Sequence, residues 1–274
     1  MVQCRDAIGL VSQIAHVLAG CRLNITAMRE FVDEAEAQFF ARIECRGAGE
    51  PDQRILSEKL AACLPEGAQV LVNPRQEKKT AVLVTKEYHC LGDILTRHFF
   101  HTLDAQVCCV IGNYEHLRVF TGQFSVPFHY ISHEGKSQEE FESLILETLE
   151  PYAPDYLVLA KFMRILSPNF VARYRQRIIN IHHSFLPAFM GAHPYRKAFE
   201  RGVKLIGATA HFVTNDLDEG PIIAQQTTSV NHNFSVKDMV VAGKGIEKAV
   251  LSRALQLVFQ DRVFVSGNKT VVFE

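Results

Sequence analysis

Four short apolar runs constrain this chain most: Thr80-Ala81-Val82-Leu83-Val84, Ala105-Gln106-Val107-Cys108-Cys109-Val110-Ile111, Tyr156-Leu157-Val158-Leu159-Ala160 and Ile178-Ile179-Asn180-Ile181. They are too short for helices and too continuously apolar for strands with one wet face. Runs of this kind read as strands buried on both sides. Amphipathic segments over 91–100 and 137–149 lie between them, the second opened by a Ser137-x-x-Glu140 capping box. A short strand over 128–131 and a short helix over 169–174 complete the alternation. Strands alternating with helices predict a doubly wound, mostly parallel α/β sheet. In such sheets ligands sit at the carboxyl ends of the strands.

The first part of the chain has a different pattern. Residues 9–19 have helical periodicity, with Leu10, Ile14, Val17 and Leu18 on one face and Gly20 as a stop. Residues 24–32 and 37–45 read as strands joined by the turn Asp33-Glu34-Ala35-Glu36. A second amphipathic helix over 53–63 and a strand over 68–72 follow. With a short strand around Cys4, the order is that of a ferredoxin-like split unit, an α+β fold. The charged, proline-led stretch Pro74-Arg75-Gln76-Glu77-Lys78-Lys79 reads as a hinge. The expected organisation is a small domain over 1–74, a linker over 75–79 and a larger domain over 80–274.

The formal net charge of the 274 residues is -1, so no global field favours nucleic acid or an acidic membrane. No apolar run is long enough to span a bilayer, and the N-terminus lacks the basic start and apolar core of a signal peptide. The 7 cysteines form no C-x-x-C pair. Reduced thiols in the cytoplasm are therefore expected, with no disulfide framework or zinc site.

The chemistry concentrates in Asn180-Ile181-His182-His183-Ser184-Phe185-Leu186-Pro187, where the fourth apolar run opens into a loop broken by Pro187 and Gly191. Strand alternation places Asn180 and His182 on one face, with Ile181 and His183 on the other. A carboxamide can donate to a developing oxyanion, and an imidazole can donate, accept or carry a proton. An isolated N-x-H is more often a turn cap beside a structural histidine. A second segment changes that balance. The strand Ile206-Gly207-Ala208-Thr209-Ala210-His211-Phe212-Val213 runs into the acidic, glycine-closed loop Thr214-Asn215-Asp216-Leu217-Asp218-Glu219-Gly220, which can present a carboxylate to a cleft. The turn after the first apolar run, Thr85-Lys86-Glu87-Tyr88-His89-Cys90-Leu91, has none of the glycines that let backbone N–H groups close on phosphate.

These motifs resemble the folate-dependent formyltransferase fold. The resemblance rests on Asn180-x-His182-x-Ser184-x-x-Pro187, Gly207-x-Thr209-x-His211-x-Val213, Asp218-x-Gly220-Pro221-Ile222-Ile223 and Phe162-Met163-Arg164-Ile165-Leu166-Ser167. Within that family the chain is most similar to the formyltetrahydrofolate deformylases. His89-Cys90-Leu91 stands where the glycinamide ribonucleotide transformylases carry a glycine-rich loop, and His183 follows His182 where they carry proline. Ile111-Gly112-Asn113-Tyr114 departs from the deformylases' usual serine and histidine around the asparagine. The pattern Cys4-x-Asp6-x-x-Gly9-Leu10, with Asn24-Ile25 after a helix, resembles the ACT domain.

The resemblance implies hydrolysis of 10-formyltetrahydrofolate to tetrahydrofolate and formate. The formate would feed purine synthesis, and the reaction would balance one-carbon folate pools. Formyl transfer to an amine acceptor is the alternative. Asn180 and a cationic His182 would stabilise the oxyanion, and Asp218 would pair with His182 and relay protons to the leaving nitrogen. His183 and His211 would support them. Met163, Arg164, Ile165, Leu166, Val213 and Thr214 would contact the folate. No cofactor and no metal is implied, because the histidines lack ligand spacing and no cysteine neighbours them. The ACT resemblance implies pairing across subunits in a homo-oligomer, dimer or tetramer. In some ACT domains an amino-acid effector binds at that interface, and a purely structural role is an equal alternative. No nucleic-acid or membrane partner is implied.

Overall fold

The computed structural model describes residues 1–47, 49, 52–72, 77–188 and 194–274. The hinge residues Pro74, Arg75 and Gln76, and the chain-breaking Gly191, lie outside the described residues. The chain divides into two units. The first comprises Met1–Gln76 with Asp261–Phe264 and Val271–Glu274, and the second Glu77–Gln260 with Val265–Thr270.

The first unit runs β1 (Val2–Arg5), α1 (Leu10–Gly20), β2 (Leu23–Asp33), β3 (Gln38–Gly47), α2 (Gln53–Cys63) and β4 (Gln69–Val70). Its sheet has the order β2-β3-β1-β4, with β1 antiparallel to both neighbours. This is the ferredoxin-like split topology. Asp52 caps α2 by accepting from the backbone N–H groups of Arg54 and Ile55. Leu10, Ile14 and Leu18 of α1 and Leu56 and Leu60 of α2 pack with Val2, Cys4, Phe39 and Ala41. Strand alternation sends Phe40 to the opposite face, where it clusters with Phe264 and Phe273.

The second unit runs β5 (Lys78–Val84), α3 (His89–Phe99), β6 (Ala105–Gly112), α4 (Arg118–Gly122), β7 (Phe128–Tyr130), α5 (Gln138–Leu149), β8 (Tyr156–Leu159) and α6 (Pro168–Arg173). It continues through β9 (Ile178–His182), α7 (Pro194–Arg201), β10 (Leu205–Phe212), β11 (Ile222–Ser229) and α8 (Val236–Phe259). The chain ends in the hairpin β12 (Val263–Ser266) and β13 (Lys269–Val272). Among the described residues the sheet order is β11-β10-β9-β8-β5-β6-β7. Strands β5 to β9 are parallel, and β10 pairs antiparallel with both β9 and β11. The expected mostly parallel sheet is present. Its strand order reverses at β5, which has β6 on one side and β8 on the other.

Ala81, Leu83, Cys109, Ile111, Leu157 and Ile178 form one core face with Phe141, Ile145 and Leu149 of α5. The Ser137–Glu140 capping box closes the start of α5. The sequence reading did not place α7, α8 or the terminal hairpin. In α8, Gly243 and Gly245 lower helix propensity and blur the apolar stripe. No helix among the described residues is long and apolar enough to cross a membrane, and all seven cysteines are free thiols.

Candidate active site

The register of β9 builds the site. Leu159 at the end of β8 pairs with Asn180, while on the other side Asn180 pairs with His211 and His182 with Thr209. Directly paired residues share a face, as do residues two apart. Asn180, His182, Thr209 and His211 therefore stand together at the carboxyl end of β9. The loop after β10 brings the carboxylate. It folds back so that Phe212 N–H donates to Pro221 O at 2.9 Å. A Cβ on Gly220 would lie 1.8 Å from Phe212 O, so only glycine permits this closure. Asp218 takes a left-handed φ of 59°, which aspartate tolerates better than most residues. Its Oδ1 lies 3.1 Å from His182 Nδ1 and 3.8 Å from His211 Nε2.

The hydrogen bonds fix the protonation pattern. His211 Nδ1 donates to Phe212 O at 2.9 Å. Its Nε2 can then only accept, and it takes a hydrogen bond from Asn180 Nδ2 at 3.2 Å. Burial lowers the pKa of His211, consistent with this neutral form. The Asn180 amide is thereby oriented, with its second N–H left over. Burial opposes ionisation of Asp218, but the hydrogen bond and charge of His182 outweigh it and hold the carboxyl below its ordinary range. His182 is 5% exposed, and its Nε2 has no partner among the described residues. An unpaired buried nitrogen is costly, and this one is aimed away from the carboxylate that holds Nδ1.

The intervening loop is pinned from beneath. Thr209 Oγ1 donates to Ser184 O at 2.9 Å and accepts from Leu186 N–H at 3.0 Å and Gln225 Nε2 at 2.9 Å. Gly207 lets this loop approach, since a Cβ there would lie 3.0 Å from Phe185 Cβ and 2.7 Å from Gln226 O. The residues of the Gly207-x-Thr209-x-His211 motif thus each hold part of the site.

His183 departs from expectation. Strand β9 ends at His182, so alternation no longer applies, and the His183 ring stacks on His182 at 5.0 Å and 28°. Burial, the Lys161 ammonium and His182 together push its pKa down to about 4. It is neutral in the fold at pH 7. As pH falls below about 6.5 the unfolded chain takes up a proton that the folded chain refuses until about pH 4. This contribution to stability is complete above pH 6.5 and is lost as pH falls to 4, a change of roughly 3 kcal/mol. Urea unfolding of wild type and His183→Asn should show the variant's pH dependence shallower by that amount. Equal dependences would refute it.

The folate-contact candidates follow β8. Leu166 is buried and clusters with Phe162, with Val213 packed against the same core. Met163 and Ile165 are 62% and 67% exposed, and Arg164 is exposed between them. Thr214 Oγ1 donates to Asp216 O at 3.2 Å. Two residues of α5 hold this loop from behind. Glu142 accepts from Ser167 N–H at 2.7 Å and from the Ser167 hydroxyl, and Gln138 Nε2 donates to Ile165 O at 3.1 Å.

Sequence reasoning missed a second polar cluster at the reversal of the strand order. Glu247 of α8 is 1% exposed. Its carboxylate accepts from His89 Nε2 at 2.8 Å and from the Tyr195 hydroxyl at 2.6 Å, and lies 3.2 Å from Lys161 Nζ. Burial opposes its ionisation, but His89, Lys161 and Tyr195 hold its pKa at about 2. A Cβ on Gly243 would lie 2.1 Å from the Tyr195 ring, so the glycine one turn before Glu247 makes room for Tyr195. His89, Cys90 and Glu247 bring metal-ligand atoms within 4.8 Å of one another. The Lys161 ammonium already balances the carboxylate, however, and burial raises the Cys90 thiol strongly. The set suits a resident ammonium better than a metal ion.

Comparison with known proteins bears on the family and the fold. The sequence model described as formyl transferase matches residues 78–255. A formyltetrahydrofolate deformylase of Haemophilus influenzae is 48% identical over 99% of this chain and 97% of its own. The crystal structure of a formyltetrahydrofolate deformylase from Pseudomonas syringae pv. tomato superimposes with a TM-score of 0.95 at 37% identity, covering 100% of this chain and 93% of that one. A glycinamide ribonucleotide transformylase from Symbiobacterium toebii matches 77% of this chain and 100% of its own, with a TM-score of 0.68 at 28% identity. With a formyl transferase match over residues 78–255 and near-complete coverage by such relatives, the chain belongs to the formyltetrahydrofolate deformylases of the formyl transferase family.

Proposed function

We infer that the chain hydrolyses 10-formyltetrahydrofolate to tetrahydrofolate and formate. The observation that carries the site assignment is His182, whose Nδ1 is held by Asp218 while its buried Nε2 is unpartnered. Water adds to the formyl carbon and charge builds on the formyl oxygen. Cationic His182, through Nε2–H, and the free N–H of Asn180 donate to that oxyanion, each such donor contributing about 3–4 kcal/mol. Asp218 balances the imidazolium and relays the proton released by water to the leaving nitrogen. The carbon–nitrogen bond then breaks and formate departs. The reaction draws on no cofactor in this scheme.

The folate would lie along Met163, Arg164, Ile165 and Leu166, with Val213 and Thr214 opposite. Exposed apolar side chains beside backbone polar groups suit an aromatic ring with a donor–acceptor edge. Glu142→Ala, which releases Ser167, should raise KM about tenfold with kcat nearly unchanged, as read from initial rates. An unchanged KM would remove Glu142 from folate positioning. The first unit is proposed to be an ACT-type module that pairs subunits in a cytoplasmic homo-oligomer.

The deciding experiment measures formate released from 10-formyltetrahydrofolate with and without glycinamide ribonucleotide. Equal formate in both arms is expected. Release that depends on the amine, or formylated amine in place of formate, would overturn the reading.

A further inference from the structure

We propose that the buried Glu247–His89–Lys161–Tyr195 cluster is the specificity determinant that makes water the formyl acceptor, because it fills the place where an amine substrate would lie. This deepens the deformylase reading and rests on it. In an open α/β sheet the ligand crevice lies outside the carboxyl ends of the strands where their order reverses. Here that crevice is between β5 and β8, and it is closed. The Thr85 hydroxyl, just beyond β5, hydrogen-bonds to Phe162 O, just beyond β8. Lys161 enters from the β8 side and His89 opens α3 on the β5 side. Both meet Glu247, which reaches in from α8.

The closure continues outward and inward. At the mouth, Glu87 pairs with Lys244 at 2.6 Å and lies 3.5 Å from His89 Nδ1. Toward the reacting site, the Tyr195 ring lies 6.3 Å from His183, which stacks on His182. A continuous set of side chains therefore runs from the reversal point to the imidazole of the active site. An acceptor bearing a phosphate would want bare backbone N–H groups at the start of α3. That position instead carries the side chains of Glu87, Tyr88 and His89, and the Glu87 and Glu247 carboxylates there are already paired with Lys244 and Lys161. A second substrate entering here meets filled volume, a restriction that a water molecule, far smaller, escapes.

The reaction with an amine balances as hydrolysis does: the amine nitrogen bonds the formyl carbon, the bond to the folate nitrogen breaks, and one proton moves from amine to folate. The test follows this partition with glycinamide as the amine, in three forms of the full chain. Wild type should yield formate alone at millimolar glycinamide. Glu247→Ala/Lys161→Ala, which removes both charges and their volume, should form N-formylglycinamide at least tenfold above the wild-type background. Glu247→Gln/Lys161→Met, which removes charge but keeps volume, should yield formate alone. If the truncated pair does not fold, Glu87→Gly/Tyr88→Gly opens the same crevice at its exposed mouth and should show the same gain. The proposal is overturned if wild type formylates glycinamide at a rate comparable to hydrolysis, or if the folded truncation or mouth variant partitions as wild type does. Absence of formate from wild type would instead overturn the deformylase reading.

Discussion

His182→Ala and Asp218→Asn should each lower formate release by about three orders of magnitude without unfolding the chain. The two losses have different causes. His182→Ala removes the Nε2 proposed to meet the substrate and to donate to the oxyanion. Asp218→Asn keeps the shape of the loop but removes the charge 3.1 Å from Nδ1. The asparagine amide can also turn an N–H toward Nδ1, which holds the imidazole neutral and takes away the charge that the proposed oxyanion contact uses. Both changes should appear in kcat rather than KM, since the proposed folate slot lies after β8. Single-turnover formate release and a thermal melt on the same samples decide the matter. A folded variant with near-normal turnover would exclude that residue from the mechanism.

Gly220→Ala should be the most damaging single methyl group in the second unit. The added Cβ would sit 1.8 Å from Phe212 O, with Thr214 Cγ2 at 3.3 Å on another side. The obstacle is backbone, so no side chain can swing away. The loop must open, which breaks the Phe212–Pro221 hydrogen bond and withdraws Asp218. We expect a loss of about 3 kcal/mol, at the upper end for overpacking, and a fall in kcat that tracks the displaced carboxylate. Urea unfolding and kinetics on the purified variant would test both. A loss under about 0.5 kcal/mol would show that the loop has freedom the structure does not display.

Much of this was legible in the residues because local rules carried it. The buried strands announced themselves as unbroken apolar runs, and the Ser137-x-x-Glu140 box marked the start of α5. Asn180 and His182 shared a face because a strand has period two, and Asp218 lay in the one acidic loop that glycine and proline close behind a paired strand. His183 escaped that rule because the strand ended one residue before it. The Ser235-x-x-Asp238 box that opens α8 is as plain as the one before α5. What no spacing reveals is that Glu247, far along that helix, ends beside His89 and Lys161. Long-range charge pairing of this kind depends on the complete tertiary fold, and it leaves only single, unremarkable letters in the sequence. The wholly buried glutamate is its one visible oddity, and burial is not written in the chain.

The cluster of Phe40 with Phe264 and Phe273 sets an order of events during synthesis. The first unit's sheet emerges from the ribosome early, but the two aromatic rings that cover its outer face are made after every residue of β5 to α8. Until then Phe40, which is fully buried in the finished protein, has only early neighbours such as Phe31 and Met1 on a strand face left partly open, of the kind that aggregates. Nascent chains halted before Asp261 should therefore recruit chaperones through the first unit, even though its own helices and strands are all present. Release of the last dozen or so residues should end that recruitment.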